Sequence, residues 1–266
     1  MTQSQMIPNP PRVESDSASR QAEFEALSKE LAEEELELAT LTNELAVFET
    51  RYTHTIGILF AELDELEKEI AWEVWRLHPG ERYQKIYQEA QRKAKSSQDA
   101  VGRQPNQRET KKFVPSEALK NLYRRIAKAI HPDLAIDEDE KVYRTELMAR
   151  ANDAYSHGDQ AALTQIMADW ENKDRNLRLQ DAQSTELTLL EEKILRVRLR
   201  LKEIGAKIAN LRNSELYQLM LKVEQAEQRG RDLLSEMAND IRRQIQAAQA
   251  RLAAMKQQKQ QVLYGR

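Results

Sequence analysis

From Phe24 to Ile70 apolar residues recur at steps of three and four, and no proline interrupts them. They fall at Phe24, Leu27, Leu31, Leu38, Leu41, Leu45, Phe48 and Tyr52, with Glu34 at a missed position. After a stutter the pattern resumes at Ile56, Leu59, Leu63, Leu66 and Ile70. Such spacing puts one apolar stripe on an α-helix and cannot serve a strand, whose period is two. Sustained with charges between, it is the seam of a coiled coil. A helix from about Ala18 to Leu77 would be roughly 90 Å long, more than a compact domain spans. Gly57, beside Thr53 and Thr55, weakens its middle and predicts a bend there. His78-Pro79-Gly80 ends it.

A second seam runs without error through Leu187, Leu190, Ile194, Val197, Leu201, Ile204, Ile208 and Leu211. Asn213-Ser214 breaks the phase. Leu216, Met220, Val223, Leu234, Met237, Ile241, Ile245, Ala248, Leu252 and Met255 continue in a new register. Asn213 suits a helix end and Ser214 an N-cap, which favours an antiparallel helical hairpin turning there. One continuous helix is the alternative. With 7 Gly and 7 Pro in 266 residues, the chain lacks the turns a sandwich or barrel needs. The fold class is therefore all-α: long coiled-coil helices flanking a small helical segment.

Six stretches follow. Residues 1–19 are polar, without an apolar h-region, and read as a disordered leader rather than a signal peptide or anchor. Residues 20–78 form the N-terminal coiled-coil helix. Residues 79–97 hold a short helix from Glu81 to about Lys95. Residues 98–112, with Gly102 and Pro105, are a basic linker. Residues 113–172 are the informative segment, and 173–266 the C-terminal coiled-coil hairpin.

Charge excludes several functions. There are 44 acids against 41 bases, a net of −3, which gives no global attraction to nucleic acid or anionic lipid. Residues 92–112 do carry seven bases against two acids, but no aromatic side chain interleaves them. They read as a solvated spacer, with nucleic-acid binding the weaker alternative. No apolar run reaches the length of a membrane span. Cysteine is absent, which removes disulfides, thiolate metal sites and thiol nucleophiles. His54, His78, His131 and His157 have no metal-ligand spacing. Trp72, Trp75 and Trp170 read as packing anchors, and Tyr83 and Tyr87 as a core-facing stripe. No catalytic constellation, metal site or cofactor loop appears, so the chain reads as a non-enzyme.

Within 113–172, Ser116 is placed to cap a helix on which Leu119, Leu122, Ile126, Ala129 and Ile130 share one face. Lys120, Arg124 and Lys128 align on another, flanked by Tyr123 and Arg125. The helix stops at His131-Pro132, because the residue before proline is pushed out of the α region. Asp137, Glu138, Asp139 and Glu140 open the next helix, which ends near Gly158, and a short helix follows from about Gln160 to Trp170.

The run Leu119-Lys120-Asn121-Leu122-Tyr123-Arg124-Arg125-Ile126-Ala127-Lys128-Ala129-Ile130-His131-Pro132-Asp133 resembles helix II and the following loop of the J-domain, the module of DnaJ-like co-chaperones. Asn152-Asp153-Ala154-Tyr155 resembles the end of that family's helix III. The likeness covers about 60 residues, and the segment also resembles the auxilin-like variants, in which case Glu81–Lys95 would stand in for helix I after a long loop. It departs where helix I is absent immediately upstream, where Leu134 replaces a base, and where Met148 and Ala151 replace larger residues.

The resemblance implies a partner, a 70-kDa heat-shock chaperone, docked through Lys120, Tyr123, Arg124, Arg125 and Lys128. It implies that His131, Pro132 and Asp133 bias that partner toward ATP hydrolysis. Asp133 would accept an arginine bond, Pro132 would stiffen an exposed loop and His131 would orient it. It further implies a cytoplasmic co-chaperone whose coils choose where it acts, through a coiled-coil partner or self-association. The alternative is a structural or adaptor coiled coil with an inactive J-like insert, in which His-Pro-Asp serves only as a helix stop.

The two coils carry opposite charge. Residues 14–49 hold eleven acids and two bases, and residues 241–266 six bases and no acid. Matching apolar stripes and opposite charge lead to the expectation that these two segments pack together, within one chain or between two.

Overall fold

The computed structural model describes residues 12–102, 113–178 and 186–264. Among these there is helix and no strand, so the all-α class holds. The helices are α1 Arg12–Tyr52, α2 Ile58–Leu77, α3 Glu81–Gly102, α4 Glu117–Ile130, α5 Glu138–Ser156, α6 Gln160–Arg178, α7 Glu186–Asn213, α8 Glu215–Gln228 and α9 Leu233–Tyr264. No described helix is long and apolar enough to cross a membrane.

Two boundaries differ from expectation. α1 is already helical at Arg12, within the stretch read as a disordered leader; residues 1–11 of that leader lie outside the described residues. α3 runs to Gly102 rather than Lys95, because it goes on packing along α2: Ser97 Oγ donates to Asp64 Oδ2 at 2.5 Å and Gln98 Nε2 to Glu65 Oε2 at 3.2 Å. Most of the basic linker, 103–112, lies outside the described residues.

The chain divides into two compact units, one from Met1–Asn43 and Val114–Asn213, the other from Glu44–Phe113 and Ser214–Arg266. In the second unit the expected bend at Gly57 is a π-helical turn, Thr53–Gly57, in which the Ile58 N–H donates to Thr53 O five residues back. Tyr52 and Ile58 keep right-handed helical backbone, so the turn inserts a residue without breaking the helix. That extra residue is the stutter in the apolar spacing, and it brings Ile56 to full burial.

α3 returns antiparallel to α2 after His78. Near the turn Trp75 stacks on Tyr87 at 5.7 Å and His78 lies 5.9 Å from Tyr83. Farther along, Asp64, only 2% exposed, meets Lys93 Nζ at 2.8 Å and accepts from Ser97 Oγ at 2.5 Å. Trp72 is packed on one face by Trp75 and Tyr87 yet 41% exposed, so it anchors the hairpin only in part.

The C-terminal region breaks at Asn213-Ser214 as expected, with Ser214 Oγ accepting from Tyr217 N at 3.2 Å. A second break was not foreseen. α8 ends with Gly230 at φ +73°, where Arg231 N–H donates to Ala226 O and Gly230 N–H to Glu227 O, both at 2.9 Å. This is the pairing that closes a helix through a left-handed residue. Asp232 then caps α9 by accepting from Ser235 N at 3.0 Å.

α9 buries Leu234, Ala238, Ile241, Ile245 and Leu252, and packs on the π-turn and α2. Arg51 meets Glu227 at 2.6 Å and Lys256 meets Glu69 at 3.3 Å, so the last segment advances along α2 in parallel. The expected pairing of 241–266 with 14–49, within one chain or between two, is not the packing that α9 has in its own unit, where it lies along α2. The basic C-terminal arm finds apolar surface on α2 within its own unit, and the acidic arm of α1 is met by α7 within the other.

Replacing Gly230 by Ala tests the unforeseen break. A Cβ there would meet nothing within 4 Å, so the cost is backbone strain alone, about 1–2 kcal/mol. A lowered denaturation midpoint with unchanged helicity is expected; an unchanged midpoint would contradict a left-handed residue at this position.

Candidate functional site

In the first unit α4, α5 and α6 pack on one another, and each end is held by a side chain the sequence supplies nearby. Ser116 Oγ accepts from Leu119 N at 3.1 Å to start α4, and Asp137 Oδ1 from Glu140 N at 2.7 Å to start α5. Gly158, at φ +68°, ends α5: Asp159 N–H donates to Ala154 O at 2.9 Å, and Asp159 Oδ1 caps α6 by accepting from Ala162 N at 2.9 Å.

Pro132–Leu134 form a single 3-10 turn between α4 and α5. Arg144 of α5 closes the turn from beneath. Its Nη1 donates to Ala129 O at 2.9 Å and to His131 O at 3.3 Å, satisfying carbonyls at the C-terminus of α4. Its guanidinium also meets Glu140 at 2.8 Å and lies 4.4 Å over the Trp170 ring. Leu134 is buried, which accounts for an apolar residue at this position.

The surprise is His131, 2% exposed rather than displayed on an open loop. Asp133 N–H donates to its Nδ1 at 3.1 Å, so Nδ1 carries no proton in this geometry. The ring proton therefore sits on Nε2, which donates to Glu35 Oε1 of α1 at 3.1 Å. Arg200 of α7 reaches the same oxygen twice, Nη2 at 2.7 Å and Nε at 3.0 Å. Burial pushes the Glu35 carboxyl upward, but the hydrogen bonds from His131 and Arg200 outweigh it and hold the group below the usual carboxylate range. Burial lowers Arg200, and its bonds to Glu35 more than restore it.

The expected docking residues separate into three groups. Tyr123 is fully buried, its ring 4.7 Å from Tyr155 and its hydroxyl donating to Asn152 Oδ1 at 2.5 Å. It is a core residue and not a surface contact, and burial pushes its phenol well above the ordinary value. Lys120 pairs with Glu117 at 2.9 Å and Arg124 with Glu33 of α1 at 2.6 Å. Arg125 and Lys128 are exposed. Pro132 is half-buried, and the Asp133 side chain is 25% exposed.

Pro132 and Asp133 face an open cleft of about 520 Å³, lined also by Thr145, Asn152, Arg196 and Arg200. Arg196 closes its edge by donating to Ala135 O at 3.0 Å. Among the described residues no group of acids and histidines could hold a metal ion.

Sequence reasoning missed Glu35, Arg200, Arg144 and Asn152. The one signal for Glu35 was the gap in the α1 stripe. Leu31 and Leu38 are seven apart, so the midpoint is 34 or 35, and spacing alone cannot choose. The structure buries Leu31, Ala32, Glu35 and Leu36, which places Glu35 rather than Glu34 in the seam.

No family model, curated protein or solved structure matches the chain.

Glu35→Ala removes the buried acceptor shared by the Arg200 guanidinium and the His131 ring and is expected to cost about 3–5 kcal/mol, the range for breaking a buried ion pair. Because the folded carboxyl lies below its ordinary value of 4.5, its contribution is present at neutral pH. It is lost as pH falls from that value through the depressed one. Acid titrations of stability should therefore fall more steeply for wild type than for Glu35→Gln; parallel curves would contradict the depressed carboxyl.

Proposed function

We propose that the chain is a J-domain co-chaperone, recruiting a 70-kDa heat-shock chaperone and stimulating its ATP hydrolysis. The observation that carries this reading is the His131-Pro132-Asp133 turn held between the antiparallel helices α4 and α5. The Asp133 carboxylate reaches a cleft, and the solvent side of α4 presents Arg125 and Lys128. Each part has a physical role. Pro132 stiffens the backbone, and the His131 ring fixes the Asp133 N–H and so the direction of its side chain. Asp133 is the available acceptor for a partner arginine. Exposed bases on α4 supply steering, which acts mainly on association rate.

In this reading the chain contributes no catalytic group, cofactor or metal of its own. The long helices serve as coiled-coil arms that choose where a cytoplasmic co-chaperone acts, through a partner helix or a second copy. Nucleic acid and membrane have no part in it.

A second reading is favoured by one observation. His131 is buried and bonded to Glu35, so the tripeptide also does what a structural helix stop would do. The chain would then be an adaptor with an inactive J-like insert.

Single-turnover ATP hydrolysis by a 70-kDa chaperone separates the two. The co-chaperone reading expects stimulation by the full chain, lost in Asp133→Asn with helicity unchanged. It also expects binding that weakens with salt and falls in Arg125→Glu/Lys128→Glu. Stimulation that survives Asp133→Asn, or that wild type never produces, supports the adaptor.

A further inference from the structure

α1 sits on the same part of the first unit that a chaperone would have to reach. Glu33 takes the Arg124 guanidinium through its Nε at 2.6 Å, and Glu35, two residues on in the same helix, takes His131 at 3.1 Å. An acidic partner and α1 therefore compete for Arg124. Leaving its pocket costs His131 the hydrogen bond that its Nε2 donates to Glu35.

α1 is in turn tied to α7 by a row of ion pairs: Glu23 with Arg198, Glu35 with Arg200 at 2.7 Å, and Glu37 with Arg212 at 2.6 Å. The acidic residues of α1 and the bases of α4 and α7 make this an internal charge match, with residues 14–49 at net −9.

We infer that α1 is a built-in occupant of part of the α4 docking face, a clasp that holds Arg124 and His131 until α1 yields there. The inference rests on the co-chaperone reading above. Its energetics suit a reversible clasp. In the Glu37–Arg212 pair both side chains are about half exposed, and in Glu23–Arg198 the arginine is; such pairs are worth about 0–1 kcal/mol each and weaken with salt. Only the Glu35 node is buried. A competitor that reaches Arg124 pulls first on the Glu33–Glu35 turn, while buried Leu31, Ala32 and Leu36 keep the rest of α1 in place.

The test uses the full chain and two kinds of variant. Glu23→Lys/Glu37→Lys reverses rim pairs, which seldom affects folding, and Glu33→Gln/Glu35→Gln removes the charges that meet α4. Two readouts are taken: single-turnover ATP hydrolysis by a 70-kDa chaperone, and acylation of His131 by diethyl pyrocarbonate, mapped by mass spectrometry. The clasp expects slow His131 acylation in wild type and faster acylation in both variants. It expects stimulation about fivefold or more above wild type, the lower end of ordinary coupling between sites. Adding Asp133→Asn to either variant should abolish that gain.

A bismaleimide bridge in Glu23→Cys/Arg198→Cys, clean because the chain has no cysteine, should hold stimulation at or below the wild-type level. If wild type stimulates as strongly as both variants, the clasp is overturned and the co-chaperone reading stands. If neither wild type nor either variant stimulates, the co-chaperone reading falls and the clasp with it. Equal His131 acylation in all chains also overturns the clasp, whatever the ATPase result.

Discussion

One carboxylate oxygen, Glu35 Oε1, accepts from an imidazole and twice from a guanidinium, and thereby joins three parts of the first unit. A bare carboxylate at 5% exposure would be strongly unfavourable, because burial strips the water that stabilises its charge. The cost is offset only if donors arrive from elsewhere in the fold. α1 supplies the acid, α7 the arginine, and the turn after α4 the histidine. Hydrophobic burial along α1 would tolerate several registers; this oxygen accepts one. Hence the 3-10 turn has a fixed histidine tautomer and a fixed direction for Asp133.

The second unit uses the same device with other residues. Asp64 lies in the α2 seam beside Leu63, and α3 supplies Lys93 and Ser97 to it. Lys93 is held above its ordinary value, first by its hydrogen bond to Asp64 and against the opposing effect of burial. In both units a buried acid on a long apolar stripe selects which helix may lie alongside. The difference lies in what is joined. Asp64 connects two neighbouring helices of a hairpin, whereas Glu35 connects elements more than ninety residues apart in sequence. The distant connection is the one that touches the His-Pro-Asp turn.

Local chemistry was readable from the sequence. Ser116 and Ser214 act as caps where their spacing suggested, the acids from Asp137 open α5, Gly158 ends it, and the stutter near Gly57 marks the inserted π-turn residue. Gly230 followed by Asp232 is the same kind of signal, a left-handed helix end and then a cap, obscured because the apolar spacing seemed to run on to Leu234. What could not be read were choices between distant segments. The α9 stripe fits α1 or α2 equally by pattern. Its place on α2 follows the burial of Leu234, Ala238, Ile241, Ile245 and Leu252 rather than net charge. Tyr123 lies among the α4 bases in sequence and among core residues in space. The burial of His131 depends on Glu35, about a hundred residues away, which no local pattern announces.

The central claim is that His131 is a buried donor to Glu35 and not a displayed loop residue. Nitrogen-detected NMR of the ring tests it most directly. At neutral pH the account expects the tautomer with its proton on Nε2, an unprotonated Nδ1, and an Nε2 proton that exchanges with water far more slowly than those of the exposed His54 and His78 rings. A proton on Nδ1, or exchange as fast as at the exposed rings, would contradict it.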